Sequence, residues 1–171
     1  MKIYMENEEL RSSLCELIDS FADNINDPYS IALYSFCLNK DFELRVVKTD
    51  EKDYRGECFF NKIVMFESKY ETTESMKWLF LHELGHLFLQ QNEVAKSLLV
   101  LSKRKFYMDK GFGDKNTYYW NADGYYKYYN SDEGHESDPE ERIVSDFATW
   151  VIGKDYSRKW FRERQKEVDR Q

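Results

Sequence analysis

The sequence predicts an α+β domain in which a small β-sheet packs on a helical bundle, with one strongly apolar helix around residues 76–90 at the interface. Three observations predict it. Apolar residues recur at helical spacing through 7–23, 92–104 and 138–152. Two β-rich pieces, 42–48 and 57–67, stand together just before the apolar helix. A chain of 171 residues with 42% hydrophobic content suffices for one core, so residues 1–171 are expected to form a single domain.

Residues 7–23 read as an amphipathic helix, with Leu10, Leu14, Leu17, Ile18 and Phe21 on one face. Asn24 to Asp27 is turn-like, and Asp27 suits the cap of a second helix that Pro28 opens and that runs to about Cys37. FELRVVK, residues 42–48, alternates as a strand does. ECFFNKIVMFE, residues 57–67, holds either two short strands around a turn at Asn61-Lys62 or one bent strand. Thr72 or Thr73 suits the N-cap of the apolar helix, with Glu74 favourable in its first turn. The helical pattern continues past Gln91 to about residue 104, bending or breaking near Asn92, with Glu93, Lys96, Lys103 and Arg104 facing water.

Residues 105–135 form an insert. Two aromatic runs, 117–121 and 125–129, flank Ala122-Asp123-Gly124 and predict a Tyr-rich hairpin, which either packs on the domain or forms a flap beside a cleft. Residues 138–152 read as a helix with Asp138 as N-cap, Pro139 at the first helical position and Gly153 at its end. Its apolar face carries Val144, Phe147, Ala148 and Val151. Residues 154–171 predict a charged C-terminal helix anchored by Trp160 and Phe161.

The charge balance narrows the function. With 33% charged residues and a formal charge of −7, a general electrostatic grip on nucleic acid or on an anionic membrane is not expected. No apolar run reaches transmembrane length, and MKIYMENEEL lacks the apolar core of a signal peptide. Cys15, Cys37 and Cys58 are widely spaced and contain no C-x-x-C pair. Neither a disulfide framework nor a thiolate metal site is expected, and a reduced, cytoplasmic compartment is.

The chemistry concentrates in HELGH, residues 82–86, which holds two of the three histidines of the chain. On a helix, His82 and His86 lie on one face about 6 Å apart along the axis, close enough for one metal ion. Glu83 projects further round, beside the open side of that ion, where it can act as general base; this is the zincin arrangement, and zinc is the expected metal. A third ligand must come from elsewhere. Asn92 stands where a metzincin would have its third histidine, which removes that class. Glu140 and Glu141 open an apolar helix, where burying an acid needs a reason, and His135 precedes them. Helical phase does not choose between Glu140 and Glu141.

HELGH on an apolar helix that follows a short strand, with E-x-x-x-x-x-F-A on a later helix, resembles the ImmA/IrrE metallopeptidases over roughly residues 57–153. Setting Phe147-Ala148 on the F-A of that family makes Glu141 the counterpart of its third zinc ligand. Val144 and Ser145 depart from the family's usual Ala and Asn or Asp, and the terminal Met-Pro is replaced by Gly153-Lys154. The Tyr-rich insert also lengthens the spacing between the two motifs. The resemblance implies a zinc endopeptidase that cuts one dedicated protein, such as a helix-turn-helix repressor of a mobile element or stress operon. Glu83 is then the catalytic residue, and Tyr118, Tyr119, Tyr125, Tyr126 and His135 are the candidates for substrate contact and oxyanion stabilisation from the insert. A different class of reading is a toxin-like or otherwise non-catalytic partner protein that keeps zinc as a structural ion. A small-molecule hydrolase using the same zinc is a third.

Overall fold

A computed structural model describes residues 1–23, 28–114, 116–152 and 170. The fold is α+β. Strands β1 (Lys2–Tyr4), β2 (Glu43–Lys48), β3 (Gly56–Phe59) and β4 (Lys62–Glu67) form one mixed sheet in the order β1-β2-β4-β3. β1, β2 and β4 run parallel, and β3 pairs antiparallel with β4 at one edge. Parallel neighbours need a crossover. Helices α1 (Glu8–Asp23) and α2 (Pro28–Leu38) lie between β1 and β2 in the chain and supply it. β1 was not expected, because three residues are too few for alternation to register. The turn between β3 and β4 falls at Phe60-Asn61, one residue earlier than expected. Phe60 takes a positive φ of 51°, and Phe59 already pairs with Lys62.

Helix α3 (Thr73–Gln91) is the centre of the molecule. Every residue from Trp78 to Leu87 is buried, so the middle of the helix has no solvent-exposed residue. A helix that is apolar nearly all round must be enclosed by other elements. Here α1, β3, β4, α4 and α7 surround it, and Leu10, Leu14, Ile18, Leu44, Ile63 and Met65 complete the core. Thr72 is the cap: its hydroxyl accepts from the Ser75 N–H at 3.1 Å, and the Ser75 hydroxyl accepts from the Thr72 N–H at 2.8 Å.

The chain breaks at Asn92, where two helices meet. The Asn92 N–H closes α3 on the Phe88 carbonyl, and its side chain accepts from the Ala95 N–H to open α4 (Glu93–Asp109). α4 runs past residue 104 because its end joins a second, aromatic core. Tyr107, Tyr119 and Tyr125 are buried together, with Phe106, Phe112, Trp120, Tyr128 and Tyr129 around them.

That cluster overturns the expected hairpin. Residues 119–121 form a 3₁₀ turn, followed by α5 (Tyr125–Tyr129) and α6 (Asp132–Ser137). Gly124, with φ of 81°, starts a helix and does not close a strand pair. Helical spacing turns Tyr125, Tyr128 and Tyr129 toward shared neighbours, whereas strand alternation would split them between two faces. His135 therefore sits on α6, not in a loop. α7 (Pro139–Ile152) follows as expected, with Asp138 Oδ1 accepting from the Glu140 N–H at 2.9 Å. The expected cap at Asp27, the expected helix end at Gly153 and the expected helix over 154–171 lie outside the described residues, apart from Arg170. Among the described residues, no helix is long and apolar enough to cross a membrane.

A buried ion pair ties the sheet to the start of α3. Arg55 Nε lies 2.8 Å from Glu71 Oε1, its second nitrogen lies 3.0 Å from Oε2, and the Glu71 side chain is fully enclosed. Removing one partner strands the other charge. Glu71→Ala is expected to lower unfolding stability by about 3–5 kcal/mol in a urea titration, and a loss below about 1 kcal/mol would contradict the pairing.

Candidate metal centre

α3 presents His82 and His86 one turn apart, and their Nε2 atoms converge to 3.2 Å. α7 brings Glu141 across from the other side. Its Oε2 lies 3.0 Å from His82 Nε2, and its Oε1 lies 3.3 Å from His86 Nε2. All three side chains are buried, and they are the one group among the described residues whose ligand atoms meet in this way. Zinc bound tetrahedrally at its usual bond lengths separates its ligand atoms by about 3.3 Å. The observed spacings lie within a few tenths of an ångström of that value. Glu141 Oε2 is also enclosed, and although His82 Nε2 lies 3.0 Å away no hydrogen bond of good geometry reaches it, a costly state for a carboxylate oxygen unless a shared proton or a metal ion lies between them. The donor set thus fits a metal ion.

The three candidates for the third ligand separate cleanly. Glu141 converges with the histidines. Glu140 points to the far nitrogen of His86, with Oε1 2.9 Å from Nδ1, so it fixes the ring and its tautomer. Ser145 Oγ lies 3.2 Å from His82 Nδ1 and steadies that ring, while as a hydroxyl it can pair with either tautomer. His135 Nε2 stands 3.3 Å from Glu141 Oε2, half exposed at the border of the cluster.

α7 comes this close because Gly85 has no side chain. A Cβ there would lie 3.0 Å from Val144 Cγ1 and 3.2 Å from Val144 Cβ, so a larger residue needs Val144, three residues from Glu141 on α7, to give way. The start of α7 is held in turn by Asp138, which caps Glu140 and accepts from the Tyr107 hydroxyl at 2.6 Å. Lys103 Nζ lies 3.2 Å from Glu140 Oε2 and 3.5 Å from Asp138 Oδ2. Lys103 was expected to face water; it is instead drawn inward between these two carboxylates. Nothing in the sequence distinguishes it from its neighbours Lys96 and Arg104.

The electrostatics follow from burial and pairing. Burial lowers the His86 pKa, but hydrogen bonds to Glu140 and Glu141 outweigh it and raise it to about 10 in the metal-free chain. Burial raises the Glu141 pKa, but hydrogen bonds to His82 and His86 outweigh it and hold the carboxyl far below the usual range. Burial raises Glu83, with the neighbouring His82 and His86 opposing. Glu83 stands beside Gly56 of β3, where a Cβ would come within 3.1 Å of Glu83 Oε1. Trp78 stacks on His82 with ring centroids 5.1 Å apart.

These groups open into a cleft of about 620 Å³. β3 and the loop before it form one wall, α5 and α6 the other, and α3 and α7 the floor. The structure does not bring the predicted tyrosines here. Tyr119 and Tyr125 are buried in the aromatic core, and Tyr118 and Tyr126 are exposed away from the cleft lining. Two adjacent aromatic runs carry no sign of which ring faces which way once the hairpin is replaced by helices. Tyr129, Asn130, Ser131, Asp132 and His135 line the cleft from the insert, and the Tyr129 hydroxyl lies 3.5 Å from Glu141 Oε1. Comparison with protein-family models, with curated proteins and with solved structures finds no match to this chain.

Because folding raises the His86 pKa, proton binding favours the folded metal-free chain. That contribution is whole below about 6.5 and is lost as pH passes about 10. Metal-free protein is therefore expected to lose stability across this window, and His86→Ala to flatten the slope. Melting temperature against pH, with and without metal, reads it; a slope unchanged in His86→Ala contradicts the assignment.

Proposed function

We propose that the protein is a zinc-dependent endopeptidase of zincin type, related in mechanism to the ImmA/IrrE enzymes it resembles. The observation that carries this reading is the convergence of His82, His86 and Glu141 with Glu83 beside them in an open cleft. Zinc held there would lower the pKa of a water and polarise a peptide carbonyl.

The remaining work falls to the chain's own side chains. Glu83 takes the proton of the attacking water and delivers it to the leaving amine. Its burial favours a carboxyl that can carry a proton between the two steps. Glu140 and Ser145 hold the imidazoles in the orientation that directs Nε2 inward. Tyr129 and His135, lining the cleft from the insert, can donate to the developing oxyanion. The resemblance supplies the substrate class: one dedicated regulatory protein, such as a DNA-binding repressor, with no direct contact to nucleic acid.

The competing reading, a partner-binding protein with a structural ion, draws on His135. Its Nε2 lies at the border of the ligand set, where a fourth ligand would close the site. Glu83→Gln decides between them. Zinc-loaded wild type is expected to cut members of a mixed peptide library read by mass spectrometry. Glu83→Gln should retain the ion and lose at least about a hundredfold in rate. Cleavage at an undiminished rate in the variant would remove Glu83 from the mechanism, and absence of cleavage by zinc-loaded wild type would favour the binding protein.

A further inference from the structure

We propose that the cleft selects a cationic peptide, with Asp53 and Glu57 from the β3 segment and Asp132 and Glu136 from α6 reading Lys or Arg side chains that flank the scissile bond. This deepens the peptidase reading and rests on it for the word scissile; the charge selectivity itself stands on the cleft. All four carboxylates are solvent-exposed and line the cleft that holds His82, His86 and Glu83. None of them forms an ion pair with a described residue.

The deeper acids are compensated where the rim acids are not. Lys103 lies against Glu140 and Asp138, and Glu141 meets the two histidines. A bound dication adds to that inner positive charge. Among the described lining residues the one cation other than histidine is Arg55, whose guanidinium is bidentate to Glu71. Among the described residues the rim therefore carries acids from the β3 segment and from α6, with no Lys or Arg paired to them. Carboxylates gathered around one concave surface reinforce a negative potential, which draws in cationic chains and repels acidic ones. Long Lys and Arg side chains suit such a rim, since their heads reach the carboxylates while their stems stay along the walls.

The chain as a whole is acidic, so the test must separate cleft from overall charge. Zinc-loaded Glu83→Gln protein binds without turnover. Its affinity is read by fluorescence anisotropy with three labelled peptides that differ only in Lys, Gln or Glu at the flanking positions. The Lys peptide is expected to bind about tenfold more tightly than the Gln peptide, the size of two screened ion pairs, and the Glu peptide more weakly still. Asp53→Asn, Glu57→Gln, Asp132→Asn and Glu136→Gln in combination should erase the preference while keeping the metal. A control with the same net charge, Glu8→Gln, Glu9→Gln, Glu16→Gln and Asp19→Asn on the exposed face of α1, should retain it. Equal affinities for the three peptides, no binding of any, or equal loss of preference in the control overturns the proposal. Selective binding without cleavage by wild type would sink the peptidase reading alone. Equal cleavage of the Lys and Gln peptides by wild type would sink the selectivity alone.

Discussion

Three lone-pair atoms, His82 Nε2, His86 Nε2 and Glu141 Oε2, meet out of water at spacings of 3.0–3.3 Å when both carboxylate oxygens are counted. With the Nδ1 proton of His86 directed at Glu140, the Nε2 of a neutral His86 would meet Glu141 Oε1 lone pair to lone pair, which a shared positive charge relieves. Either a proton held on a histidine or a metal ion supplies that charge, and only the ion engages all three at once. Much of the remaining structure can be understood as the means of holding them together.

The histidines are simple to place, since one rigid helix carries both and the core grips it on every side. The third ligand is the harder problem, because it belongs to another helix beyond a long insert. Gly85 allows α7 to approach, Asp138 caps its first turn, and Tyr107 with Lys103 fixes Asp138. Tyr107 belongs to the aromatic core that the insert builds. The Tyr-rich segment is thus a buttress for Glu141 as well as a cleft wall. On the opposite side, the Arg55–Glu71 pair anchors the strand edge that carries Gly56 to the start of α3, beside Glu83.

How much of this was legible in the residues depended on periodicity. HELGH places two histidines of the candidate metal cluster on one helix face by spacing alone, and the apolar flanks of α3 announce its burial. The α+β class, most helix boundaries and the break at Asn92 were equally readable. Glu141 was not separable from Glu140 by helical phase, because adjacent residues lie on neighbouring faces and the partner helix decides between them. The insert defeated the reading for another reason. Runs of tyrosine satisfy strand and helix preferences alike, and the deciding contact, Tyr107 on α4, lies well before them in sequence. Lys103 was invisible because a lysine's partners are set by tertiary packing, not by its own neighbours.

The most direct test of the account is the metal content of purified protein, measured by elemental analysis for wild type, Glu141→Ala and Glu140→Ala. The account predicts about one zinc per chain in wild type and none in Glu141→Ala. Glu140→Ala should keep its zinc with an affinity lowered about 10–100-fold, as expected for a group that only orients His86. Zinc retained in Glu141→Ala, or none in wild type even after reconstitution, would contradict it.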